Sequence, residues 1–330
     1  MTNHHLPFSI IACQGADAQD FLHNQLTQSV NDLSTDQARV FAYCTPQGRV
    51  MADGLYWRHS EEPDTIYLML HQSIAETLLR RLQMYVLRAK VTLELLDNSV
   101  VLGCNSPVLG AQIDAQPAAA DWQLPMLWLG NTLSIQAAGT KDQPERYWLI
   151  DLSGNEHSDL KIEPHQLVTP EAWLFQEIIN GWVWINEENT ETFIPQNINL
   201  DILPAVNFAK GCFPGQEVVA RSHYRATIRR RSVLMSAELH ADIDINLDAA
   251  QALTGTDVIL APEADTDLEK ARAIGRISSS TLHNGHLWAL VETQLDQILN
   301  HAKLAPANYP QLTFTHQPLP FEDSLPWEKK

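Results

Sequence analysis

The stretch KGCFPGQE, from Lys210 to Glu217, carries more information about fold and function than any other part of this 330-residue sequence. Its Pro214-Gly215 pair predicts a type II turn, because proline fixes a negative φ and glycine accepts the positive φ that the next position requires. The residues from Glu217 to Arg221 are typical of the start of a helix. The sequence therefore predicts a tight loop that leads into a helix.

Cys212 lies in this loop between a glycine and an aromatic residue. Gly211 has no side chain, so a ligand or a partner can approach the thiol closely. The neighbouring Lys210 and the N-terminus of the predicted helix both favour the thiolate form of a cysteine. These features predict a functional thiol, and the alternative of a small buried hydrophobic residue stays open at this point. The other cysteines lie in apolar, strand-like segments and are predicted to be buried: Cys13, Cys44 and Cys104.

The residues around this loop are basic, although the whole chain is acidic. Between Ala205 and Arg231 there are six lysines and arginines and one acid, which gives 6 − 1 = +5. The chain as a whole has 22 Lys and Arg against 40 Asp and Glu, which gives 22 − 40 = −18. Such an acidic chain is not expected to bind nucleic acid stably or to bind a membrane surface. We predict that Arg221, Arg229 and Arg230 bind carboxylates of a ligand, and a solvated connector is the alternative.

The segments on either side of this stretch indicate an α+β protein. From Phe8 to Leu96, runs of strand length alternate with two helical stripes, the second of which contains Ile74, Leu78, Leu79, Leu82 and Val86. Thr169-Pro170 predicts the start of a further helix that Gly181 ends. After Arg231 the chain consists of short β-like runs separated by Gly, Asp and Asn, which is typical of a small barrel. We predict an α+β region of two subdomains over residues 1–231 and an all-β, barrel-like domain over residues 232–330.

The composition narrows the class of protein further. Its apolar content of 45% and charged content of 19% are those of a globular protein. The first residues lack the basic start of a signal peptide, and no run approaches the roughly 18 apolar residues of a membrane-spanning helix. The four cysteines are scattered without a Cys-x-x-Cys pair, which fits a reducing compartment. We therefore predict a cytoplasmic protein, and no metal site, because His4-His5 is a terminal pair and His223 is isolated.

The same stretch resembles the signature of a known family. KGCFPGQE is similar to the Lys-Gly-Cys-aromatic-x-Gly-Gln-Glu signature of the YgfZ family, whose members are related to the aminomethyltransferases of the glycine cleavage system. The pattern of this family also fits FIPQ at 193–196, Asn199-Leu200, GAD at 15–17 and PLPF at 318–321. The resemblance covers essentially the whole chain and is weakest over residues 100–165. It implies an aminomethyltransferase (GcvT)-like fold, in which three domains surround an opening that binds tetrahydrofolate or a derivative.

The resemblance also implies where folate binds. In this family two aromatic positions flank the folate site, and they correspond here to Trp173 and to Phe8, where the family usually has tryptophan. A glutamate that can hold the pterin ring in many relatives is replaced here by Ile179. Glu177 or Asn180 is the predicted substitute, because oxygen atoms of these side chains accept hydrogen bonds from a pterin and isoleucine accepts none. The alternative is that this chain recognises the pterin more weakly.

The resemblance finally implies a role beside iron–sulfur proteins, in which the signature cysteine, Cys212 here, is the residue most closely tied to function. We predict a tetrahydrofolate-binding accessory protein for iron–sulfur enzymes and their assembly proteins, including an enzyme that methylthiolates tRNA. The alternative is a folate-dependent one-carbon transferase or demethylase that uses Asp53. Only this acid remains of a pair in the related hairpin at 47–53, which weighs against an enzyme. A third hypothesis, direct binding and modification of tRNA, is disfavoured by the acidic composition.

Overall fold

A computed structural model describes residues 4–105, 123–139, 145–153, 162–225, 228–240, 243, 245–262 and 271–327. The chain divides into two compact units. The first unit contains Met1–Trp173, Trp184–Thr192 and Leu203–Val218, and the second contains Leu174–Val183, Phe193–Ile202 and Val219–Lys330. Neither unit is continuous in sequence. The division into domains at residue 231 stays a prediction.

The first unit is built on one antiparallel sheet of ten strands. In chain order the strands are β1 (Phe8–Gln14), β2 (Gln37–Cys44), β3 (Val50–His59), β4 (Glu62–His71), β5 (Thr92–Leu95), β6 (Val100–Asn105), β7 (Gln123–Leu129), β8 (Thr132–Gln136), β9 (Arg146–Asp151) and β10 (Leu167–Val168). Across the sheet they follow the order β10-β6-β9-β8-β7-β2-β3-β4-β1-β5. β3 is buried without interruption from Val50 to Trp57, so Asp53 in its middle lies in the core.

Two helices of the first unit are α1 (Ala18–Gln25) and α2 (Gln72–Gln83). α2 begins after His71, whose ring accepts a hydrogen bond from the backbone nitrogen of Ser73. It buries side chains three and four residues apart, as expected for a helix with one apolar face: Ile74, Ala75, Leu78 and Leu82. The predicted helical stripe is therefore present, but the helix ends before Val86.

The helix predicted after Thr169 is α3 (Pro170–Ile179). Proline suits its first position, because an amide proton there would have no partner within the helix. Gly181 follows with a φ of +80°, and a side chain built there would lie 2.6 Å from the ring of Phe321. The prediction that Gly181 ends this helix is confirmed, because both the backbone and the neighbouring ring exclude other residues.

The second unit contains an antiparallel sheet of six strands. The strands are β11 (Arg230–Glu238), β12 (Asp257–Leu260), β13 (Gly275–His283), β14 (His286–Gln294), β15 (Leu304–Pro306) and β16 (Thr315–Gln317), in the order β15-β12-β13-β14-β11-β16. Its apolar core includes Val233, Met235, Ile277, Leu287 and Val291. Among the residues that the structure describes in either unit, the other α-helices are α4 (Gln216–Arg225), α5 (Leu247–Gln251) and α6 (Leu295–Leu299). The described 3-10 helices are Pro164–Gln166, Pro195–Ile198 and Glu322–Ser324. The predicted α+β fold with short strands near its C-terminus is confirmed.

Candidate functional site

The signature stretch forms a loop in the first unit and leads into α4. Gly215 has a φ of +78°, and α4 begins at the next residue. Within the loop, the backbone nitrogen of Gln216 donates to the oxygen of Phe213 at 3.1 Å, and the Gln216 side chain donates to the oxygen of Gly211 at 3.4 Å. Glu217 lies exposed in the first turn of α4. The predicted arrangement of a tight turn followed by a helix is confirmed.

Lys210 anchors this loop to the C-terminal end of α1. Its ammonium group donates hydrogen bonds to the backbone oxygens of His23 and Leu26, the latter at 2.5 Å. The last turn of a helix leaves such oxygens without a partner inside the helix and carries partial negative charge. The Nζ atom also lies 5.2 Å from the centre of the Phe213 ring. Burial lowers the pKa of Lys210 from its ordinary value of 10.5 to about 8, an effect that the nearby Cys212 partly offsets.

A second anchor joins the loop to the turn between β2 and β3. A Cβ atom built on Gly215 would lie 2.4 Å from the carbonyl oxygen of Thr45 and 2.7 Å from the Cα atom of Gly48. Gly48 itself has a φ of +74°, and a Cβ atom there would lie 2.8 Å from that of Val218. Both positions therefore require glycine. The contact between the two turns could not be read from the sequence, which indicates Gly48 only as part of a hairpin turn.

Asn207 holds the beginning of the loop. Its side-chain oxygen accepts hydrogen bonds from the backbone nitrogens of Ala209 and Lys210 at 2.9 Å and 3.1 Å. Its backbone nitrogen donates to the oxygen of Thr27 at 3.0 Å, and the buried Thr27 hydroxyl donates to the oxygen of Ala205 at 2.6 Å. Asn207 was not among the predicted residues, although an asparagine two and three residues before the amides that it binds is a recognised turn signal.

Cys212 is the exposed member of the four cysteines. Cys13, Cys44 and Cys104 are buried, as predicted, and burial raises the pKa of the first two to about 12 and of Cys104 to about 11. A Cβ atom built on Gly211 would have no other heavy atom within 4 Å, so the space beside the loop is open there. The alternative of a buried Cys212 is therefore wrong. The loop presents an accessible thiol between two fixed points.

Phe8 and Trp173 belong to one aromatic cluster in the first unit. The ring centres of Phe8 and Trp184 are 4.4 Å apart. The ring centre of Trp148 is 6.3 Å from that of Trp184 and 5.3 Å from that of Trp173. Trp173 is 2% exposed and Phe8 is 8% exposed, so little of either ring is accessible. Trp148 and Trp184 were not predicted as members of the site.

Trp173 is enclosed on more than one side. A Cβ atom built on Gly103 would lie 2.3 Å from its ring, so the absence of a side chain on β6 makes room for the indole. The guanidinium carbon of Arg146 lies 4.8 Å from the ring centre. The indole nitrogen is buried and has no hydrogen-bond partner among the described residues. Stacking of this ring on folate stays a prediction, and the structure gives Trp173 a packing role.

Glu177 and Asn180 lie near the end of α3 in the second unit, 2% and 5% exposed. The Asn180 side chain donates to the backbone oxygen of Gln176 at 2.7 Å, so its amide group satisfies the end of its own helix. The backbone oxygen of Glu177 accepts from the nitrogen of Trp182 at 3.0 Å. Both side chains are available to a ligand only after they become exposed, and their role as pterin acceptors stays a prediction.

Asp53 has a partner within the first unit. Its carboxylate is fully buried and accepts a hydrogen bond from the backbone nitrogen of Ile185 at 2.8 Å. This bond holds the segment Trp184–Thr192 against β3. A buried carboxylate with a backbone donor is typical of a structural residue, since a buried polar group needs such a partner.

The predicted tail-binding arginines differ in their surroundings. Arg230 forms two hydrogen bonds with Glu292, both of 2.6 Å. The side chains of Arg221 and Arg229 are exposed and form no ion pair with the residues that the structure describes. Arg230 also lines a cavity of about 260 Å³ in the second unit, together with Arg272, Gln294 and Gln297. Arg221 and Arg229 are therefore the more available cations for a carboxylate.

The fold defines the class of protein that this chain resembles. It matches the crystal structure of the glycine cleavage system aminomethyltransferase T from Bartonella henselae with a TM-score of 0.64. The match covers 97% of this chain and 87% of that one at 14% sequence identity, so it concerns the fold alone. The protein has an aminomethyltransferase-like fold, as predicted. Among the described helices, none is long and apolar enough to span a membrane.

Curated relatives narrow this class. The chain is 28% identical to the tRNA-modifying protein YgfZ of Edwardsiella ictaluri over 284 residues. This match covers 80% of this chain and 82% of that protein. The protein of the same name from Pectobacterium carotovorum subsp. carotovorum is 27% identical, and the match covers 93% of this chain and 87% of that protein. The one from Escherichia coli O157:H7 is also 27% identical, and the match covers 76% of this chain and 77% of that protein. No family model matches the sequence. The resemblance to the YgfZ proteins is confirmed and extends over most of the chain.

Proposed function

We propose that this chain is a tetrahydrofolate-binding accessory protein that supports iron–sulfur enzymes, including enzymes that methylthiolate tRNA, through the thiol of Cys212. The signature loop carries this proposal, because it presents an exposed thiol at a fixed position beside open space. Lys210 and Gly215 hold the loop at either end, so little conformational entropy is lost when a partner reaches the thiol. The relatives named as tRNA-modifying proteins support the part of the proposal that concerns tRNA.

The folate part of the proposal is supported by the aminomethyltransferase-like fold and by the available arginines. The carboxylates of a folate glutamate tail are suited to bidentate contacts with guanidinium groups. Arg221 and Arg229 fit this role better than Arg230, whose guanidinium already binds Glu292. The second cation of the cavity, Arg272, adds a further contact for a longer tail.

The position of Asp53 does not support the alternative of a one-carbon transferase. A general base must lie within hydrogen-bond reach of the proton that it removes. Asp53 is fully buried and binds the backbone nitrogen of Ile185. We therefore assign Asp53 a structural role in this proposal and place the functional group at Cys212.

Complementation tests the role of the thiol. A bacterium that lacks its related protein would receive the wild type, Cys212→Ser or Cys104→Ala, and methylthiolated tRNA nucleosides would be measured by mass spectrometry. We expect Cys212→Ser to match the empty vector and Cys104→Ala, which removes a buried thiol, to match the wild type. Full modification with Cys212→Ser would remove the thiol from the mechanism.

Anaerobic titration with tetrahydrofolate, followed by tryptophan fluorescence, tests the ligand separately. We expect saturable quenching in the wild type and in Cys212→Ser, because the thiol is not assigned to the folate site. Arg229→Glu should weaken the binding of polyglutamylated folate more than the binding of the monoglutamate. An equal loss of affinity for both would argue against recognition of the tail. No quenching in any variant, together with full complementation, would leave Cys212 as a thiol that acts without folate.

A further inference from the structure

The C-terminal end of α2 carries a surface that the proposed function does not use. We call it the 84–87 surface, and it consists of Met84, Tyr85 and Leu87, whose side chains are 66%, 37% and 87% exposed. They are three of the six large apolar side chains that are exposed in the described part of the chain. Single exposed apolar residues are ordinary, but a contiguous group of them marks an interaction site.

The backbone presents Leu87 in a fixed and unfavourable conformation. The backbone nitrogen of Ala89 donates to the oxygen of Val86 at 2.7 Å and closes a turn around Leu87. Leu87 has a φ of +43°, in the left-handed region that bulky residues rarely adopt. The next segment is fixed by a hydrogen bond of 2.7 Å from the backbone nitrogen of Lys90 to Asp17. A positive φ costs free energy in a leucine, and such backbone conformations are frequent at functional sites.

The 84–87 surface lies in a basic segment of the chain, although Tyr43 and Glu191 both raise the pKa of Arg81 and the Asp17 carboxylate accepts a hydrogen bond from the backbone nitrogen of Lys90. Residues 80–90 contain no acid, although the net charge of the chain is −18, and the cations in this range are Arg80, Arg81, Arg88 and Lys90. Arg80 forms an ion pair of 2.7 Å with Glu76, and both side chains are more than half exposed, so the pair is weak and the arginine can exchange its partner. An apolar centre with a charged rim is the anatomy of a protein–protein interface, and a positive rim selects an acidic partner.

We propose that the 84–87 surface docks a segment of a partner protein that has an apolar face bordered by carboxylates. Single-stranded RNA is disfavoured, because it stacks on aromatic rings and two of the three exposed side chains are aliphatic. The guanidinium carbon of Arg81 already lies 5.4 Å from the centre of the Tyr85 ring. This inference goes beyond the proposed function, since it involves neither Cys212 nor folate and holds whether or not the chain binds folate.

Substitutions at this surface separate docking from folding. Leu87→Asn removes the apolar side chain and introduces a residue that tolerates a positive φ, so the unfolding temperature should stay equal or rise. Met84→Gln removes the second aliphatic contact from an exposed position. Leu299→Asn is the matched control, because Leu299 is 51% exposed in the second unit, away from residues 80–90 in the chain.

The probe is a fluorescent synthetic helical peptide with a leucine face bordered by glutamates, titrated against the full chain and followed by anisotropy. We expect saturable binding that weakens at least about tenfold in the Leu87→Asn/Met84→Gln variant and is unchanged in Leu299→Asn. Raising the salt from about 50 mM to about 500 mM should also weaken binding, because it screens the charged rim. The same peptide with lysines in place of the glutamates should not bind.

Several outcomes would overturn this assignment. Equal binding of the glutamate and lysine peptides would contradict the preference for an acidic partner. Wild-type affinity in the Leu87→Asn/Met84→Gln variant would show that the peptide binds at another surface. Bulk tRNA or anionic phospholipid vesicles that bind the wild type but not Leu87→Asn would assign the surface to another class of partner. Self-association that is lost in Leu87→Asn would assign it to a second copy of this chain.

Discussion

Lys210 and Cys212 are two residues apart and have different tasks. The lysine side chain is partly buried and joins the loop to α1, whereas the cysteine side chain is exposed. Since the ammonium group binds oxygens at the end of a helix, its first contribution is to position the loop. A substitution of Lys210 therefore affects stability as well as the surroundings of the thiol, and the two effects must be measured apart.

Replacing Lys210 by methionine tests this anchor. We expect Lys210→Met to lower the free energy of unfolding by about 1–3 kcal/mol, because two hydrogen bonds from a charged donor are lost. Lys303→Met, at an exposed lysine, is the control and should change little. Urea denaturation measures both variants, and an unchanged stability of Lys210→Met would mean that the loop is held by its other contacts alone.

The lowered pKa of Lys210 adds a dependence on pH. The folded protein releases this proton near pH 8, whereas the unfolded chain keeps it to about pH 10.5, so between these values the unfolded state binds more protons. The contribution of Lys210 to stability therefore rises with pH in this window, whereas the buried cysteines, whose pKa is raised, contribute the opposite slope in both proteins. The stability of the wild type relative to Lys210→Met should therefore increase from pH 8 to pH 10. Denaturation at pH 8 and pH 10 measures the difference between the two proteins. A difference that does not change with pH would indicate a solvated amine in the folded state.

At the scale of elements, two turns that are far apart in the sequence fit against each other. The hairpin between β2 and β3 and the turn before α4 meet at Gly48 and Gly215, both with positive φ. Each turn on its own needs one glycine for its backbone. The contact adds a steric reason, because neither glycine leaves room for a Cβ atom.

Alanine substitutions test whether these two positions require glycine. Gly215→Ala and Gly48→Ala should each lower the free energy of unfolding by about 1–3 kcal/mol, since a positive φ is strained for alanine and its Cβ atom meets other atoms. Gly211→Ala lies in the same loop in open space and should change stability by less than about 0.5 kcal/mol. Thermal unfolding of the three variants gives the comparison. A large loss in Gly211→Ala would contradict the open space beside Cys212.

The contact of the Trp173 ring with Gly103 on β6, within the first unit, predicts the effect of removing this side chain. Trp173→Ala should lower the free energy of unfolding by about 3–5 kcal/mol, as is usual when a buried aromatic side chain is deleted from a core. Leu299→Ala, at a half-exposed side chain, should cost far less. Denaturation is the first measurement, because folate affinity is interpretable only in a folded variant. A small loss with Trp173→Ala would show an accessible ring and would favour its contact with folate.

At the scale of the whole molecule, many positive charges of the basic stretch serve the protein itself. Arg231 is buried and binds Asp201 with hydrogen bonds of 2.5 Å and 2.9 Å, and Arg230 binds Glu292. A buried pair of this kind is destabilising to break, because the remaining charge has no partner. The local charge of +5 that the sequence shows is therefore partly neutralised in the folded protein.

This neutralisation predicts weak binding to tRNA. With a net charge of −18, the chain should not be retained with tRNA at about 150 mM salt, and any binding at about 20 mM salt should disappear as the salt is raised. Filter binding with bulk tRNA measures this, and a basic RNA-binding domain is the positive control. Retention at the higher salt would support a protein that acts on tRNA directly.

The sequence by itself determined the local features of this protein. The turn at Pro214-Gly215, the start and end of α3 and the burial of Cys13, Cys44 and Cys104 were predicted, because each depends on backbone dihedral angles or on apolar character within a few residues. The signature stretch indicated the aminomethyltransferase-like fold through its resemblance to the signature of one family.

Only the tertiary structure decided which groups meet. Lys210 reaches a backbone oxygen 184 positions away in the chain, and Gly215 meets Gly48, although nothing in either segment names the other. The enclosure of Trp173 and the pairing of Arg230 with Glu292 likewise depend on neighbours that the sequence did not indicate. The physical reason is that burial and ion pairing depend on the neighbours that folding brings from distant segments, whereas turns and helix ends depend on adjacent residues.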